Sequence, residues 1–121
     1  MSYSELTLRY FQTAAAAGVL SGPDVHRGAA GGRAQGTWVQ FDVQFNSGII
    51  QAARFLAFAC PHTIAVSAWV AEHGVGPAAR AALPESVQQL SERFAVPAEK
   101  RGRLLIIEDA WVAAVIGALQ R

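Results

Sequence analysis

A run of alternating apolar and polar side chains, followed by a turn, constrains the fold of this chain more than any other feature. The apolar positions are Val39, Phe41, Val43 and Phe45, and the polar positions between them are Gln40, Asp42 and Gln44. A period of two is that of a β-strand with one face against the core and the other in water. The pattern therefore predicts a strand over residues 38–45 in which the four apolar side chains are buried and the three polar side chains are solvated.

The residues around this strand predict a small antiparallel sheet. The sequence NSG (46–48) is typical of a hairpin turn, and IIQAARFLAFA (49–59) is predicted to return as the antiparallel partner. The glycine-rich stretch 25–36 is expected to hold a weak first strand and a flexible connection into the hairpin. Because the sheet has one polar face, helices are expected to cover only the other face.

Four helices are predicted from apolar periodicity and capping residues. Ser4 is expected to cap the first helix, Pro61 lies in the first turn of the second, and Pro84 and Glu85 are expected near the cap of the third. The predicted helices cover residues 4–15, 61–73, 83–94 and 98–120. This order predicts an α+β fold in which a three-stranded antiparallel sheet has helices packed on one face. At 121 residues, 52% hydrophobic and 16% charged, the whole chain (1–121) is expected to be a single domain.

Charge, cysteine content and hydropathy limit the classes of protein to which the chain can belong. The net charge of +1 gives no reason to expect attraction to nucleic acid or to a membrane surface. A single cysteine cannot form an internal disulfide bond, which favours a reducing, cytoplasmic location. The N-terminal residues lack the pattern of a signal peptide, and the most apolar segment, 110–119, is shorter than the ~20 residues of a membrane span.

Most candidates for chemistry have simpler interpretations. The glycine-rich stretch lacks the Lys-Ser/Thr ending of a phosphate-binding loop and precedes a strand rather than a helix. His26, His62 and His73 do not have the spacing of zinc ligands, so a surface or capping role is expected for each. Glu108 and Asp109 are adjacent on a helix and diverge by about 100°, which prevents them from sharing an acid–base site. These residues predict no enzyme.

Cys60, the single cysteine, is the remaining candidate. It is predicted to close the second hairpin strand and to occupy the N-cap or first turn of the helix that begins near Pro61. At such a position the unpaired N–H groups and the positive end of the helix dipole stabilise a thiolate. The alternative is that Cys60 is a small buried apolar residue without chemistry, as most lone cysteines are.

The segment around Cys60 resembles a known family. Residues 46–70, NSGIIQAARFLAFACPHTIAVSAWV, resemble the core of the iron–sulfur cluster assembly scaffold family, the NifU N-terminal or IscU-like proteins. In that family a strand with the pattern I-x-x-A-R-F leads to G-C-P-x-x-I-A-x-x-S. Residues 3–20 and 104–115 are similar to its first and last helices, so the resemblance covers nearly the whole chain. It implies the same α+β fold that the periodicity predicts.

The family's chemistry rests on three cysteines, an aspartate near the first and often a histidine before the third. The resemblance places Gln35 at the first cysteine, Thr37 at the aspartate, and Gly102 and Arg103 at the histidine and the third cysteine. Cys60 matches the second cysteine and is the predicted metal ligand. One thiolate is too few for a cluster, which takes about four protein ligands. The Arg103 guanidinium cannot deprotonate to bind a metal.

The resemblance implies an IscU-like protein of iron–sulfur cluster assembly that is degenerate as a scaffold, binds no resident cofactor and acts as an accessory or interaction protein. A cysteine desulfurase or another assembly component is the expected partner, and the chain is expected to be a monomer or a weak homodimer. Two alternatives remain open. Cys60 ligates iron, zinc or a shared iron–sulfur cluster across a dimer, or it is a thiol that accepts persulfide sulfur and is activated by Arg103. Gln35, Cys60 and Arg103 are expected to converge at one end of the sheet.

Overall fold

The computed structural model describes residues 3–14, 16–77 and 82–119. Within these ranges the chain has an α+β fold in which three consecutive strands lie between helices, as the sequence predicts. In chain order the elements are α1 (Glu5–Thr13), β1 (Val25–Gly32), β2 (Thr37–Asn46), β3 (Ile49–Phe58), α2 (Pro61–His73), β4 (Gly76–Pro77), α3 (Val87–Arg93) and α4 (Arg101–Leu119). Short 3₁₀ turns, Arg33–Gln35 and Ala98–Lys100, precede β2 and α4.

The strands form an antiparallel sheet in the order β1-β2-β3-β4. The predicted three-stranded sheet is confirmed, and the two-residue β4 only extends its edge. The turn between β2 and β3 consists of Ser47 and Gly48, with φ of 54° and 80°. A positive φ at both turn residues is what a type I′ hairpin requires, so the NSG turn behaves as predicted.

The apolar face of β2 lies under the helices, with α4 across β1 and β2 and α2 on β3. Val39, Phe41 and Val43 are fully buried, and the Phe41 ring meets Trp111 edge to face with 5.2 Å between the ring centroids. The predicted register of this strand is therefore confirmed. Phe45 is only half-buried, and it lies at a β-bulge next to the hairpin.

The glycine-rich stretch forms a full strand, β1, and is not the weak strand and flexible connection that its composition suggests. Helix α4 lies directly on it: a Cβ added to Gly28 would lie 2.2 Å from the backbone N of Ala114 and 2.7 Å from the carbonyl oxygen of Ala110. Glycine is needed here because a backbone approaches the strand closely. Local sequence does not distinguish this cause from flexibility.

Replacing Gly28 by alanine is expected to lower the free energy of unfolding by about 1–3 kcal/mol or more, because the added methyl group must displace helix backbone. Gly32→Ala is the matched control in the same strand. The φ of Gly32 is −173°, and the nearest atom to its added Cβ is Gln35 Oε1 at 3.8 Å. Urea denaturation compares the two variants. Equal losses of stability would show that α4 does not press on β1 at Gly28.

Asp42 departs from the predicted pattern, because the alternation predicts a solvated side chain and the residue is 1% exposed. Its Oδ1 accepts from Arg27 Nε at 2.7 Å, and its Oδ2 accepts from Arg27 Nη2 and from the Leu20 N–H, each at 2.9 Å. The segment between α1 and β1 explains the burial. It starts beside β3, where the Gly18 N–H donates to the Phe55 carbonyl oxygen, and crosses the outer face of the sheet to reach β1.

Two helices begin later than predicted. Helix α3 starts after Ser86 rather than near Pro84 and Glu85, because Ser86 and Gln89 form a capping box in which each side chain accepts the other residue's N–H. Helix α4 starts at Arg101, after the 3₁₀ turn. Among the described residues, no helix combines the length and the apolar character that crossing a membrane requires.

Candidate functional site

The candidate site lies at the end of the sheet where β2 begins and β3 ends. Antiparallel pairing places Thr37, the first residue of β2, beside the end of β3, and Cys60 follows that end closely. Helix α4 runs antiparallel to β1, with its later turns against the middle of the strand and Ile106 near the strand's end. The first turn of α4, which contains Arg103, therefore reaches the same end of the sheet.

Cys60 is the N-cap residue of α2, as predicted. Its backbone is extended, with φ −75° and ψ 165°, and its carbonyl oxygen accepts the Ile64 N–H at 3.1 Å. The side chain is half-buried, and its Sγ lies 3.5 Å from Thr63 Oγ1. The thiol is thus partly accessible and lies at the positive end of a helix dipole.

The surroundings of Cys60 lower the pKa of its thiol. Burial alone raises that pKa, but the hydroxyl and backbone N–H of Thr63 and the guanidinium of Arg103 lower it by more. Arg103 acts through its positive charge and as a donor towards the sulfur. The Arg103 guanidinium is therefore close enough to the thiol to lower its pKa.

Replacing Arg103 by glutamine is expected to raise the pKa of Cys60 and to slow its alkylation near neutral pH by about three- to tenfold. The thiolate is the nucleophile, and one unit of pKa changes its population about tenfold. The rate of reaction with iodoacetamide, measured across roughly pH 5 to 10, tests this. Arg9→Gln, which removes an exposed arginine from α1, is the control and should keep the wild-type profile. Identical profiles for Arg103→Gln and wild type would contradict the prediction.

Two other positions that the resemblance assigns to the site stay outside the Cys60–Arg103 pair. Gln35 lies exposed in the 3₁₀ turn between β1 and β2, with its Oε1 near Gly32. Among the described residues, no hydrogen bond joins Gln35 to either member of the pair. Gly102 is exposed in the first turn of α4 and offers no side chain. Gln35, in the turn that leads into β2, lies at the same end of the sheet as Cys60 and Arg103, but of these three described residues only Cys60 and Arg103 interact with each other.

Two buried polar side chains occupy the same end of the sheet. Within the described residues, Thr37 Oγ1 and His62 Nδ1 are the buried side-chain polar atoms that have no hydrogen-bond partner. The surface or capping role expected for His62 is wrong: the residue is 2% exposed, and its ring lies 4.6 Å from that of Tyr3, edge to face. Burial and the positive charges of Lys100 and Arg103 lower the pKa of His62, so its imidazole is mainly neutral at pH 7.

The composition of α2 could have indicated that His62 is buried. Residues 62–71 are small or apolar on every side of the helix apart from this histidine, and a helix without a polar face is buried all round. Helix α2 is in fact enclosed by α1 and the sheet. His73, at the end of the helix, follows the expectation, since its Nδ1 lies 3.0 Å from the Trp69 carbonyl oxygen.

The donor set around Cys60 does not fit an iron–sulfur cluster held by this chain alone. In residues 3–14, 16–77 and 82–119, no three side chains of His, Cys, Asp or Glu lie close enough together to hold a metal ion. The neighbours of the thiol are the Thr63 hydroxyl and the Arg103 guanidinium, and a guanidinium repels a metal cation. Ligation by Cys60 across a dimer stays a prediction.

Comparison with known proteins identifies relatives along the whole chain. The family described as NifU-like N terminal domain matches residues 2–120. The chain is similar to the iron–sulfur cluster assembly scaffold protein IscU of Azotobacter vinelandii, with 30% identity over 118 residues, or 95% of this chain and 92% of that protein. The crystal structure of the N-terminal part of a nitrogen-fixing NifU-like protein from Brucella abortus superposes with a TM-score of 0.70 and 15% identity, over 98% of this chain and 94% of that one. At that identity the likeness concerns the fold alone.

Proposed function

The chain belongs to the NifU-like N-terminal domain family, and from this membership we propose that it is an accessory protein of iron–sulfur cluster assembly. It keeps the family's fold and does not hold a cluster on its own ligands. The observation that carries the proposal is the Cys60–Arg103 pair. The position that the resemblance gives to a third thiolate holds a guanidinium, and that guanidinium lies beside the one remaining thiol.

The charge at this site is opposite to the charge that a cluster requires. Iron–sulfur clusters are held by thiolates, which bring negative charge to the iron. Arg103 brings a permanent positive charge instead, while Gln35 and Thr37 offer an amide and a hydroxyl. Even a cluster bound only transiently would find a single thiolate at this site, whereas clusters are normally held by about four protein ligands.

A cysteine desulfurase or another assembly component is the proposed partner, and the chain acts as a cytoplasmic monomer or weak homodimer. Family membership supports this partner, because the fold is retained while the ligand set is not. Calorimetric titration with a purified cysteine desulfurase measures the interaction. A three-cysteine IscU added as competitor should displace the chain if both use the same surface of the enzyme. Lack of saturable binding to the desulfurase would count against this partner.

Sulfur transfer through Cys60 is a second candidate function, and the lowered pKa of its thiol favours it. The Cys60 thiolate would attack the terminal sulfur of a persulfide on the desulfurase. One S–S bond forms as another breaks, and the desulfurase cysteine leaves as a thiolate, so no oxidant is needed. Intact mass after incubation with desulfurase and cysteine should show one added sulfur in the wild type and none in Cys60→Ser.

Iron and acid-labile sulfide analysis after anaerobic purification tests the accessory role. We expect neither element in stoichiometric amount, and no intense visible absorption after reconstitution with iron and sulfide. Cys60→Ser is the matched control and should be indistinguishable from the wild type. About one iron or zinc per chain that is lost in Cys60→Ser would contradict the proposal and support the carrier in which Cys60 ligates a metal or a shared cluster across a dimer.

A further inference from the structure

A cavity on the surface of the sheet is lined by one cation and two aromatic rings. Its volume is about 340 Å³, and its lining residues are Arg33, Trp38 and Phe58. Small-molecule sites in proteins are concave, mostly apolar cavities of about 300–1,000 Å³ that contain a few polar groups. The cavity therefore has the size and the composition of a site for a small ligand.

The pairing of β2 with β3 brings the two rings together. Trp38 and Phe58 lie opposite each other in the register of these strands. Because Val39 is buried in the core, Trp38 and its partner belong to the opposite, outer face of the sheet. Phe58 is 51% exposed and Trp38 is half-buried, so solvent reaches this pair of rings. Exposed aromatic side chains that lie together are typical of a binding surface.

Arg33 completes the cavity from the 3₁₀ turn that leads into β2. The turn ends at Gly36, which has a φ of 71° and whose N–H donates to the Arg33 carbonyl oxygen at 2.9 Å. From this turn the guanidinium reaches over the Phe58 ring, with 5.7 Å between its carbon and the ring centroid. A guanidinium that stacks on a ring through its face keeps the N–H groups in its own plane available for a second partner.

The charge of Arg33 is not balanced by a carboxylate of the described residues. None of their acidic side chains forms an ion pair or a hydrogen bond with this guanidinium. The indole N–H of Trp38 likewise has no acceptor among them. The cavity thus offers a permanent cation and a further donor beside two aromatic surfaces.

Two other surface cavities differ from this one in charge. A cavity of about 450 Å³ is lined by residues that include Arg9 and Glu5, and one of about 210 Å³ contains Arg54 and Glu72. In each of them a carboxylate accompanies the arginine, so an anion would meet repulsion as well as attraction. The cavity at Arg33 has no carboxylate in its lining and favours a negative charge.

We propose that the cavity formed by Arg33, Trp38 and Phe58 binds a planar aromatic anion, a small molecule in which a flat ring carries a carboxylate or a phosphate. The ring lies against the two aromatic side chains, and the anionic group accepts from the guanidinium. A cation would be repelled by Arg33, and an aliphatic anion would leave the two rings uncovered. Such a ligand binds whether or not the chain takes part in iron–sulfur cluster assembly.

Calorimetric titration of the full chain with sodium benzoate and with adenosine 5′-monophosphate tests the site. Sodium acetate and sodium phosphate supply an anion without a ring, and benzyl alcohol supplies a ring without an anion. We expect saturable binding of benzoate or adenosine monophosphate with a dissociation constant of about 1 mM or below, and at least about tenfold weaker binding of each reference compound. The indole N–H resonance of Trp38, assigned by its absence in Trp38→Phe, should shift during the titration.

Three variants with changes at exposed residues locate the binding. Arg33→Gln removes the charge and keeps an amide donor, and it is expected to weaken binding of the aromatic anion by about tenfold. Phe58→Leu replaces the ring by an aliphatic side chain and should weaken binding by about three- to tenfold. Arg9→Gln is the matched control, because the Arg9 guanidinium also lies over a ring, 5.5 Å from the centroid of Tyr10. It should change the affinity by less than about twofold.

The outcomes also identify the ligand. Tighter binding of benzoate than of adenosine monophosphate assigns a carboxylate, and the reverse order assigns a nucleotide. Absence of saturable binding of both, equal affinities in wild type, Arg33→Gln and Phe58→Leu, or equal affinities for benzoate and benzyl alcohol would overturn the proposal. Binding of an acidic peptide that contains phenylalanine, with neither small anion bound, would also overturn it and would assign the cavity to a partner protein.

Discussion

Replacing Phe41 by alanine is expected to lower the free energy of unfolding by about 3–5 kcal/mol. Phe41 is fully buried in the middle of β2, and its ring meets Trp111 of α4 edge to face. Alanine would leave a cavity where the sheet and α4 meet, and the surrounding backbone can fill such a cavity only in part. Urea denaturation followed by tryptophan fluorescence measures the loss.

Phe58→Ala is the matched control, because it makes the same change in the neighbouring strand but on the opposite face. The Phe58 residue is 51% exposed, so its truncation should cost about 1 kcal/mol or less. A loss for Phe58→Ala equal to or greater than that for Phe41→Ala would mean that the faces of the sheet are reversed.

The elements that the sequence predicts well are those whose causes are local. The alternation from Val39 to Phe45 fixes which face of β2 is buried, and the turn at Ser47 and Gly48 fixes its register with β3. Helix α2 has the predicted bounds, Pro61–His73, because proline favours its first turn and Gly74 follows its end. In each case the residues that determine the structure lie within the element or next to it.

The departures come from contacts with distant segments. The glycines of β1 predict a flexible connection from local sequence. In the structure, α4, which is far along the chain, lies against Gly28. The alternation predicts a solvated Asp42 side chain. In the structure, the segment that precedes β1 crosses over it and brings the Leu20 N–H to its carboxylate. The alternation of apolar and polar side chains along a strand does not indicate which distant segment will cross its polar face.

The residues of the candidate site also differ in whether local sequence or distant contacts determine their positions. Cys60 at the N-cap follows from Pro61 directly after it, which is a local signal. The proximity of Arg103 could be expected only through the family resemblance, because it depends on how α4 lies along β1. The spacing of the histidines predicts a surface or capping role for His62, whereas the helix that carries it is buried on all sides.

Replacing Asp42 by alanine is expected to lower the free energy of unfolding at pH 7 by about 2–4 kcal/mol. The carboxylate accepts from Arg27 Nε and Nη2 and from the Leu20 N–H, and its side chain is fully enclosed. Alanine leaves the Leu20 N–H without its acceptor and removes the group that anchors the crossing segment to the sheet. Denaturant unfolding measures the loss, and increased proteolysis near residues 18–24 should accompany it.

The pH dependence identifies charge, rather than packing, as the source of this stability. Burial raises the pKa of Asp42, but hydrogen bonds from Arg27 and the Leu20 N–H, together with the Arg27 charge, lower it below its usual value. Because the folded pKa lies below the unfolded value of about 3.9, the ionised carboxylate stabilises the fold above that pH, and this stabilisation is lost as the pH falls through the folded pKa. The difference in stability between wild type and Asp42→Asn should therefore be constant from neutral pH to about pH 5 and shrink at lower pH. Arg27→Met removes the cation that lowers the folded pKa of Asp42 and so brings that pKa closer to the unfolded value; its stability should therefore depend less on acidification than that of the wild type. A difference between wild type and Asp42→Asn that does not change with pH would mean that packing alone holds the crossing segment.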